Sequence, residues 1–247
     1  MLKENYHYRL IHKITDESFD LQKLNSYRLF LALGKYATRF CVLDVTRNKF
    51  IYLEDYEVSN IFTPGQAAQV FKEVFSEHSF LFKPDWQQIK VLVKNHNFTL
   101  IPNTLFEAEA AADYLRLNCD LAPEQEEVFT YNHSRIDAIN IFSVDKSLMQ
   151  VWPEILPQKS IQYRHLTSAL ISGLLHYGER SPEKRLYAFI EKESMCLLVL
   201  REGHLEFCNL FSCKAPEDFF ILSLICNAGT KIKSGCRPAY NMGRLGS

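Results

Sequence analysis

Histidine, cysteine, serine and paired carboxylates are the side chains that hold metals, attack carbonyls or move protons. Eight histidines are present; His165 and His176 stand near one helical segment, and His7 and His12 flank a short alternating one. None is spaced as HxxxH or HExxH, the patterns that put two imidazoles on one helix face, so no metal site is expected. Ser168 and Ser172 lie in a helical segment without the GxSxG turn that exposes a serine nucleophile. Seven cysteines form no CxxC, the Cys208–Cys213 spacing does not suit a zinc knuckle, and no local signature supports Cys119 or Cys213 as a nucleophile. Phosphate-cradling patterns GxxxxGK[ST] and GxGxxG are absent, and NAGTK at 227–231 reads as a helix C-cap. The carboxylate pair Glu54/Asp55 is placed after a strand. Glu217/Asp218 opens a helix, where negative charge is favourable. No residue is therefore assigned a catalytic, cofactor-binding or metal role, and no cofactor is expected.

The whole chain bounds the partner. Twenty-eight Lys and Arg stand against 29 Asp and Glu in 247 residues, a formal net charge of −1, so there is no global attraction for nucleic acid or an anionic membrane. The first residues, MLKENYHYRLIHKITDESFDL, lack an apolar h-region, and no run approaches the ~20 apolar residues of a membrane span. Unpaired cysteines inside apolar runs fit a reducing compartment. A cytoplasmic chain without a transmembrane segment is expected, and any partner is expected to be a protein.

The elements that would position a site follow from periodicity. Segment 6–14 alternates as an edge strand, then Tyr27–Leu33, Arg39–Val45 and Lys49–Glu54 read as strands joined by turns. TPGQAAQVFKEVF follows, with Thr63 as cap, Pro64 in the first turn and Val70, Phe71, Val74 and Phe75 on one face. Ile89–Val93 and Phe98–Ile101 are strands, LFEAEAAADYLRL a helix, and Val128–Tyr131 and Ala138–Ser143 strands again. Asp145 caps a helix running to Trp152, which Pro153 must end or kink. Ile161–Tyr163 is a short strand before a helix from Thr167. The aromatic loop FLFKPDW, 80–86, packs over the sheet edge, with a small docking surface as its alternative role. Arg185–Ile190, Met195–Arg201 and His204–Leu210 then repeat the three-strand pattern before a helix led by Pro216. Arg28/Arg185, Arg39/Met195 and Lys49/His204 recur at separations of 157, 156 and 155 residues, and Pro64/Pro216 at 152. Four elements in one order at near-constant spacing indicate a unit used twice.

The stretches YRLFLALGKYATRFCVLD, YLEDYEVS, IKVLVKNHNFTLIPNTLF, YLRLNC, IDAINIFSVDKSL, HLTSALI and LEFCNLFSCKAPEDFF resemble a bacterial domain-of-unknown-function family assigned to the actin-like ATPase superfamily. They cover most of 20–222. The resemblance implies an α/β fold of duplicated ribonuclease-H-like domains in an actin-like arrangement, with the second domain shortened here. Residues 1–180 are read as the first subdomain with linking strands and helices, 181–228 as the start of the second unit, and 229–247 as an irregular tail. That tail departs from the family's usual continuation and is of the kind a truncation, a frameshift or a cloning scar leaves. Nucleotide-hydrolysing actin-like proteins carry a D-x-G-[ST] hairpin in each half, its carboxylate holding magnesium or orienting water and its glycine admitting phosphate to backbone N–H groups. Aligned on Gly34, the first hairpin has Ala32 in place of the acid and Lys35 after the glycine. The second, FIEKESM, has no glycine and no placed aspartate, and the late glycine-rich adenosine turn is missing. The expected function is a non-catalytic scaffold or interaction module. The alternative is a nucleotide- or small-molecule-binding protein using the interdomain cleft, including an atypical ATPase with acids from Glu191, Glu193 or Asp44.

Overall fold

Strict alternation in YRLFLAL, ATRFCVLD and the following strand makes each segment bury every second side chain, and that period builds the first sheet. The structure is a computed structural model that describes residues 7–34, 36–156, 160–177, 182–213, 217–218 and 243–245. The chain divides into two compact units. The first comprises Met1–Thr99, Glu107–Thr130 and Ile141–His165; the second comprises Leu100–Phe106, Tyr131–Asn140 and Leu166–Ser247.

In the first unit, β1 (His7–Thr15), β2 (Tyr27–Leu33), β3 (Ala37–Asp44) and β4 (Lys49–Ser59) precede α1 (Pro64–Ser76) and β5 (Gln88–Val93). With β9 (Ile161–His165) they form a six-stranded sheet in the order β1-β4-β3-β2-β5-β9. β1 to β4 are antiparallel neighbours, whereas β2, β5 and β9 run parallel, so Leu33, Val93 and His165 end on the same edge. Segment 6–14 is thus an edge strand, as its weak alternation predicts.

One face of this sheet is the core. Leu29, Leu31, Phe40, Val42, Ile89 and Val91 are sealed beneath α1, whose Val70, Phe71, Val74 and Phe75 are fully buried. Each such side chain contributes roughly 1.5–3 kcal/mol of burial energy. The 80–86 loop completes the core: Phe80, Leu81 and Trp86 are buried, and Trp86 Nε1 donates to the Leu81 carbonyl at 3.3 Å. Packing, not docking, uses most of that loop.

The start of α1 is fixed reciprocally. Thr63 Oγ1 accepts from Gln66 N at 3.2 Å, while Gln66 Oε1 accepts from Phe62 N at 2.8 Å and Thr63 N at 3.2 Å. Thr63→Ala is expected to cost about 1 kcal/mol and lower Tm by about 2–4 °C, read by thermal unfolding followed by circular dichroism.

β6 (Phe98–Ile101), β7 (Glu126–His133) and β8 (Ala138–Asp145) form a three-stranded sheet in the order β6-β8-β7. The helix expected across 105–117 is shorter than its alanine content predicts. Two 3-10 turns, Asn103–Leu105 and Ala108–Ala110, precede α2 (Ala111–Arg116), in which Leu115 alone is buried. Helix propensity without an apolar stripe to pack does not sustain a long helix. The helix capped by Asp145 also stops early. α3 (Lys146–Met149) and α4 (Trp152–Ile155) are separate, with Pro153 in the first turn of α4, where its missing N–H costs nothing.

In the second unit, α5 (Leu166–Tyr177) precedes β10 (Arg185–Glu191), β11 (Ser194–Arg201) and β12 (His204–Ser212). The sheet order is β12-β11-β10-β13, with β13 spanning Gly243–Leu245. The β12-β11-β10 meander repeats the order β4-β3-β2 of the first sheet. β11 is buried along nearly its whole length, as MCLLV predicts for a central strand, and Leu186, Met195, Leu197 and Val199 form its core. Within 229–247, read above as irregular, the described residues of β13 pair antiparallel with Leu186–Ala188 of β10. The place β5 takes parallel to β2 is thus taken antiparallel here. The Pro216-led helix lies outside the described residues apart from Glu217 and Asp218, which are helical.

Candidate functional site

The carboxyl edge of parallel strands is where open α/β sheets place ligands. In the first unit that edge holds a cavity of about 210 Å³. Its walls are Leu33 and Gly34 from the β2–β3 hairpin, Phe62 and Thr63 before α1, and Lys94 and Asn95 after β5. Asp145 and Leu148 at the start of α3 complete it. No single segment announces this constellation, because four loops supply it. Its signal in the sequence is only that each loop follows a strand of the sheet or opens the helix beyond one.

The polar groups of the cavity are engaged within the chain. Thr63 caps α1, and the amides of Phe62, Thr63 and Gln66 donate to side chains of the capping box. Asp145 accepts from Ser147 N at 2.8 Å and from the Ser147 hydroxyl. Asn95 donates to the Ser143 carbonyl at 2.9 Å and accepts from Asn97 N at 3.1 Å, and its carbonyl receives His165 Nε2 at 3.0 Å. Burial pushes the His165 imidazole down to about 4, with its ring stacked on Phe98 at 4.7 Å. It is a neutral core histidine that pins the loop after β5.

The hairpin glycine has a steric reason. A Cβ on Gly34 would lie 3.1 Å from the Ala37 carbonyl oxygen, so any larger residue there requires the turn to give by a few tenths of an ångström. Ala32 precedes it in β2, paired with Arg39 and Leu92. Lys35 lies outside the described residues. Asp44 is at the other end of β3, about 23 Å from the hairpin by strand rise. It accepts from Arg47 N at 3.1 Å and Arg47 Nε at 2.8 Å; these bonds, the amide first, hold its carboxyl below the usual range despite some burial cost. Asp44 is a turn residue and does not meet the cavity.

In the second hairpin, Lys192 and Glu193 make the turn between β10 and β11, with Lys192 at φ 22°. The Glu193 carbonyl accepts from Cys213 N at 2.8 Å and the Glu191 carbonyl from Ser194 Oγ at 3.3 Å. The other candidates resolve into structure as well. Ser168 and Thr167 are buried and receive both Asn140 Nδ2 hydrogens at 2.8 Å, whereas Ser172 is exposed. Burial raises the thiols of Cys119 and Cys213, which makes them poor nucleophiles. Among the described residues no three His, Cys, Asp or Glu side chains converge as a metal site.

Two buried groups escaped sequence reasoning. His133 is buried with Nε2 unbonded, and burial alone lowers it to about 4. Glu54 sits inside β4 rather than after a strand. It is fully buried, takes the hydroxyls of Tyr52 and Tyr56 at 2.6 Å each, and pairs with Lys13 and His78 at 2.8 Å each.

The family described as a protein of unknown function (DUF3822) matches residues 16–229. The chain belongs to this family. Among solved structures, a protein of unknown function with an actin-like ATPase fold from Bacteroides thetaiotaomicron VPI-5482 superposes with a TM-score of 0.76 at 22% identity, over 90% of this chain and 86% of that one. The PilM–PilN type IV pilus biogenesis complex gives 0.47 at 13% identity, over 78% and 63%. The ethanolamine utilization protein EutJ from Carboxydothermus hydrogenoformans gives 0.40 at 11% identity, over 82% and 56%. No match was found among curated proteins. This DUF3822 member therefore has the actin-like ATPase fold, and a likeness at 22% identity establishes fold alone. No described helix is long and apolar enough to cross a membrane.

Proposed function

We propose that this family member uses the actin-like fold as a non-catalytic, cytoplasmic scaffold or interaction protein. The observation that carries this reading is the chemistry of the cavity at the β2–β3 hairpin. Ala32 occupies the strand position where nucleotide-hydrolysing relatives of the fold carry an acid. Of the other polar side chains there, Thr63, Asn95 and Asp145 cap helices or pin a loop, and the fourth is the cation Lys94. Asp145, the carboxylate of this cavity, spends Oδ1 on the amide and hydroxyl of Ser147 at the start of α3, a helix-capping role.

A second reading keeps the fold as a small-molecule binder without hydrolysis. The cavity of about 210 Å³, with Lys94 on its wall, favours it. Calorimetric titration of the folded chain with magnesium–ATP, and with ADP for comparison, separates the two. No heat at sub-millimolar nucleotide is expected. Micromolar binding would overturn the scaffold reading and direct substitution to Lys94 and Lys35.

A further inference from the structure

The three-strand unit repeats residue by residue on the core face of its sheet. In β4, Tyr52, Glu54 and Tyr56 stand opposite Val42, Phe40 and Thr38 of β3. In β12, Phe207, Asn209 and Phe211 stand opposite Val199, Leu197 and Met195 of β11. The two copies differ at the next position outward. In the first sheet β1 lies antiparallel along β4, with Lys13 opposite Glu54 and the Tyr8 ring edge-on to Tyr56 at 6.2 Å. In the second sheet β12 is the end strand, and among the described residues no strand lies beyond it. Its His204, Glu206, Phe207, Asn209 and Ser212 are exposed.

Free sheet edges are usually guarded by charge, proline or a bulge. In β12 those guards end at Glu206. It is the residue left over where the register shifts between Val199 and Leu200, and Lys184 neutralises it at 2.6 Å. The stretch that follows, FCNLFS at 207–212, pairs regularly with β11 and holds no charge, proline or glycine. A segment of this kind on an edge is a template for a further strand. Its residue types are also symmetric about Asn209. Phe207 and Phe211 stand two residues away on either side, and apolar Cys208 and Leu210 one residue away. The two rings stack with centroids 6.4 Å apart, and Asn209 Oδ1 accepts from the Leu210 amide at 2.9 Å.

We propose that β12 is the contact between two copies of this chain, paired antiparallel about a twofold axis at Asn209 so that their four-stranded sheets join edge to edge. That axis sets Phe207 against Phe211 of the partner subunit, and Phe211 against the partner's Phe207, as cross-strand aromatic pairs. It sets Asn209 against the partner's Asn209, where an amide can both donate and accept. The first sheet meets the same position differently, with the cation Lys13 against the anion Glu54. Glu206 falls opposite Ser212 of the partner subunit, so no like charges meet across the pair. A second copy is the occupant because the stretch complements itself, and an isologous contact of this kind closes at two subunits. One strand pair is small beside the roughly 1,600 Å² of a standard interface, so the dimer is expected to be reversible. The contact goes beyond the scaffold reading and is independent of whether the first unit's cavity takes nucleotide.

Sedimentation equilibrium of the full chain over a dilution series is expected to show a monomer–dimer equilibrium. Asn209→Asp sets two carboxylates face to face on the axis and should weaken the dimer by about tenfold or more. Asn209→Cys sets two thiols there instead. Treated with glutathione disulfide, this variant is expected to form a covalent dimer, with mass spectrometry placing the bond between the two introduced thiols. Thr15→Cys, on the end strand of the first sheet, should not link in the same way. A folded chain that stays monomeric throughout would overturn the contact, as would a dimer that Asn209→Asp leaves unchanged. Equal linking by Thr15→Cys, or assembly that continues past the dimer, would also overturn it, because a twofold pair at β12 is specific and closed.

Discussion

Glu54→Ala is expected to lower the unfolding free energy by about 1–3 kcal/mol, because it removes the acceptor of buried hydroxyl groups. The cause lies in the register of β4, where Tyr52, Glu54 and Tyr56 point to the core face together. The carboxylate there receives both phenols, Lys13 from the edge strand and His78 from beyond α1. Alanine would leave the buried Tyr52 hydroxyl without its acceptor and the Tyr56 hydroxyl with His78 Nε2 at 3.2 Å, while half-exposed Lys13 would turn to water. The edge strand would lose its inner anchor as well, since Lys13 is paired to Glu54 from β1. Urea denaturation of wild type and variant at neutral pH measures this, and a loss below about 1 kcal/mol would refute it. The effect carries a pH signature. Burial pushes the Glu54 carboxyl up, but Lys13, Tyr52, Tyr56 and His78 outweigh it, and its pKa falls below the ordinary 4.5. As pH drops through 4.5 the unfolded chain takes up the proton first, so this contribution is complete above that value and shrinks below it. The gap between wild type and Glu54→Ala should therefore narrow in acid, and Glu54→Gln should show a smaller loss with little acid dependence.

The same residue marks where the sequence stopped being informative. β2, β3 and β6 end within two residues of their predicted limits because two-residue alternation and turn residues are local signals. Thr63 with Pro64 fixed the start of α1 for the same reason. Glu54 beside Asp55 looks like an ordinary pair of surface acids, because the groups that make its burial tolerable come from β1 and from beyond α1. No window of sequence holds Lys13, Glu54 and His78 together. The cavity was hidden likewise: Gly34, Thr63, Asn95 and Asp145 are unremarkable singly and become neighbours only when β2 and β5 lie parallel. The length of α2 failed differently. Alanine-rich propensity was read correctly, but a helix that buries only Leu115 gains too little from packing to extend.

Phe40→Ala and Phe50→Ser test the asymmetry of the sheet directly, since they remove rings from neighbouring strands on opposite faces. Phe40 is fully buried at the centre of an aromatic cluster, its ring centroid 5.3 Å from His78, 5.8 Å from Tyr52 and 6.5 Å from Phe75. Its removal leaves a cavity bounded by α1 and β4, neither of which can move in without giving up its own contacts. A loss of about 3–5 kcal/mol is expected, a fall in Tm of roughly 6–20 °C. Combined with Phe75→Ala the loss should be non-additive by about 0.5–3 kcal/mol, because the second truncation removes a partner already lost. Phe50 has an edge-to-face contact with Phe30 and is otherwise largely open to water, so Phe50→Ser should cost about 1 kcal/mol or less. If Phe50→Ser cost as much as Phe40→Ala, the face that carries Phe50 would be packed as closely as the core face. If the costs differ as expected, the stability of the sheet rests on the face that packs against α1.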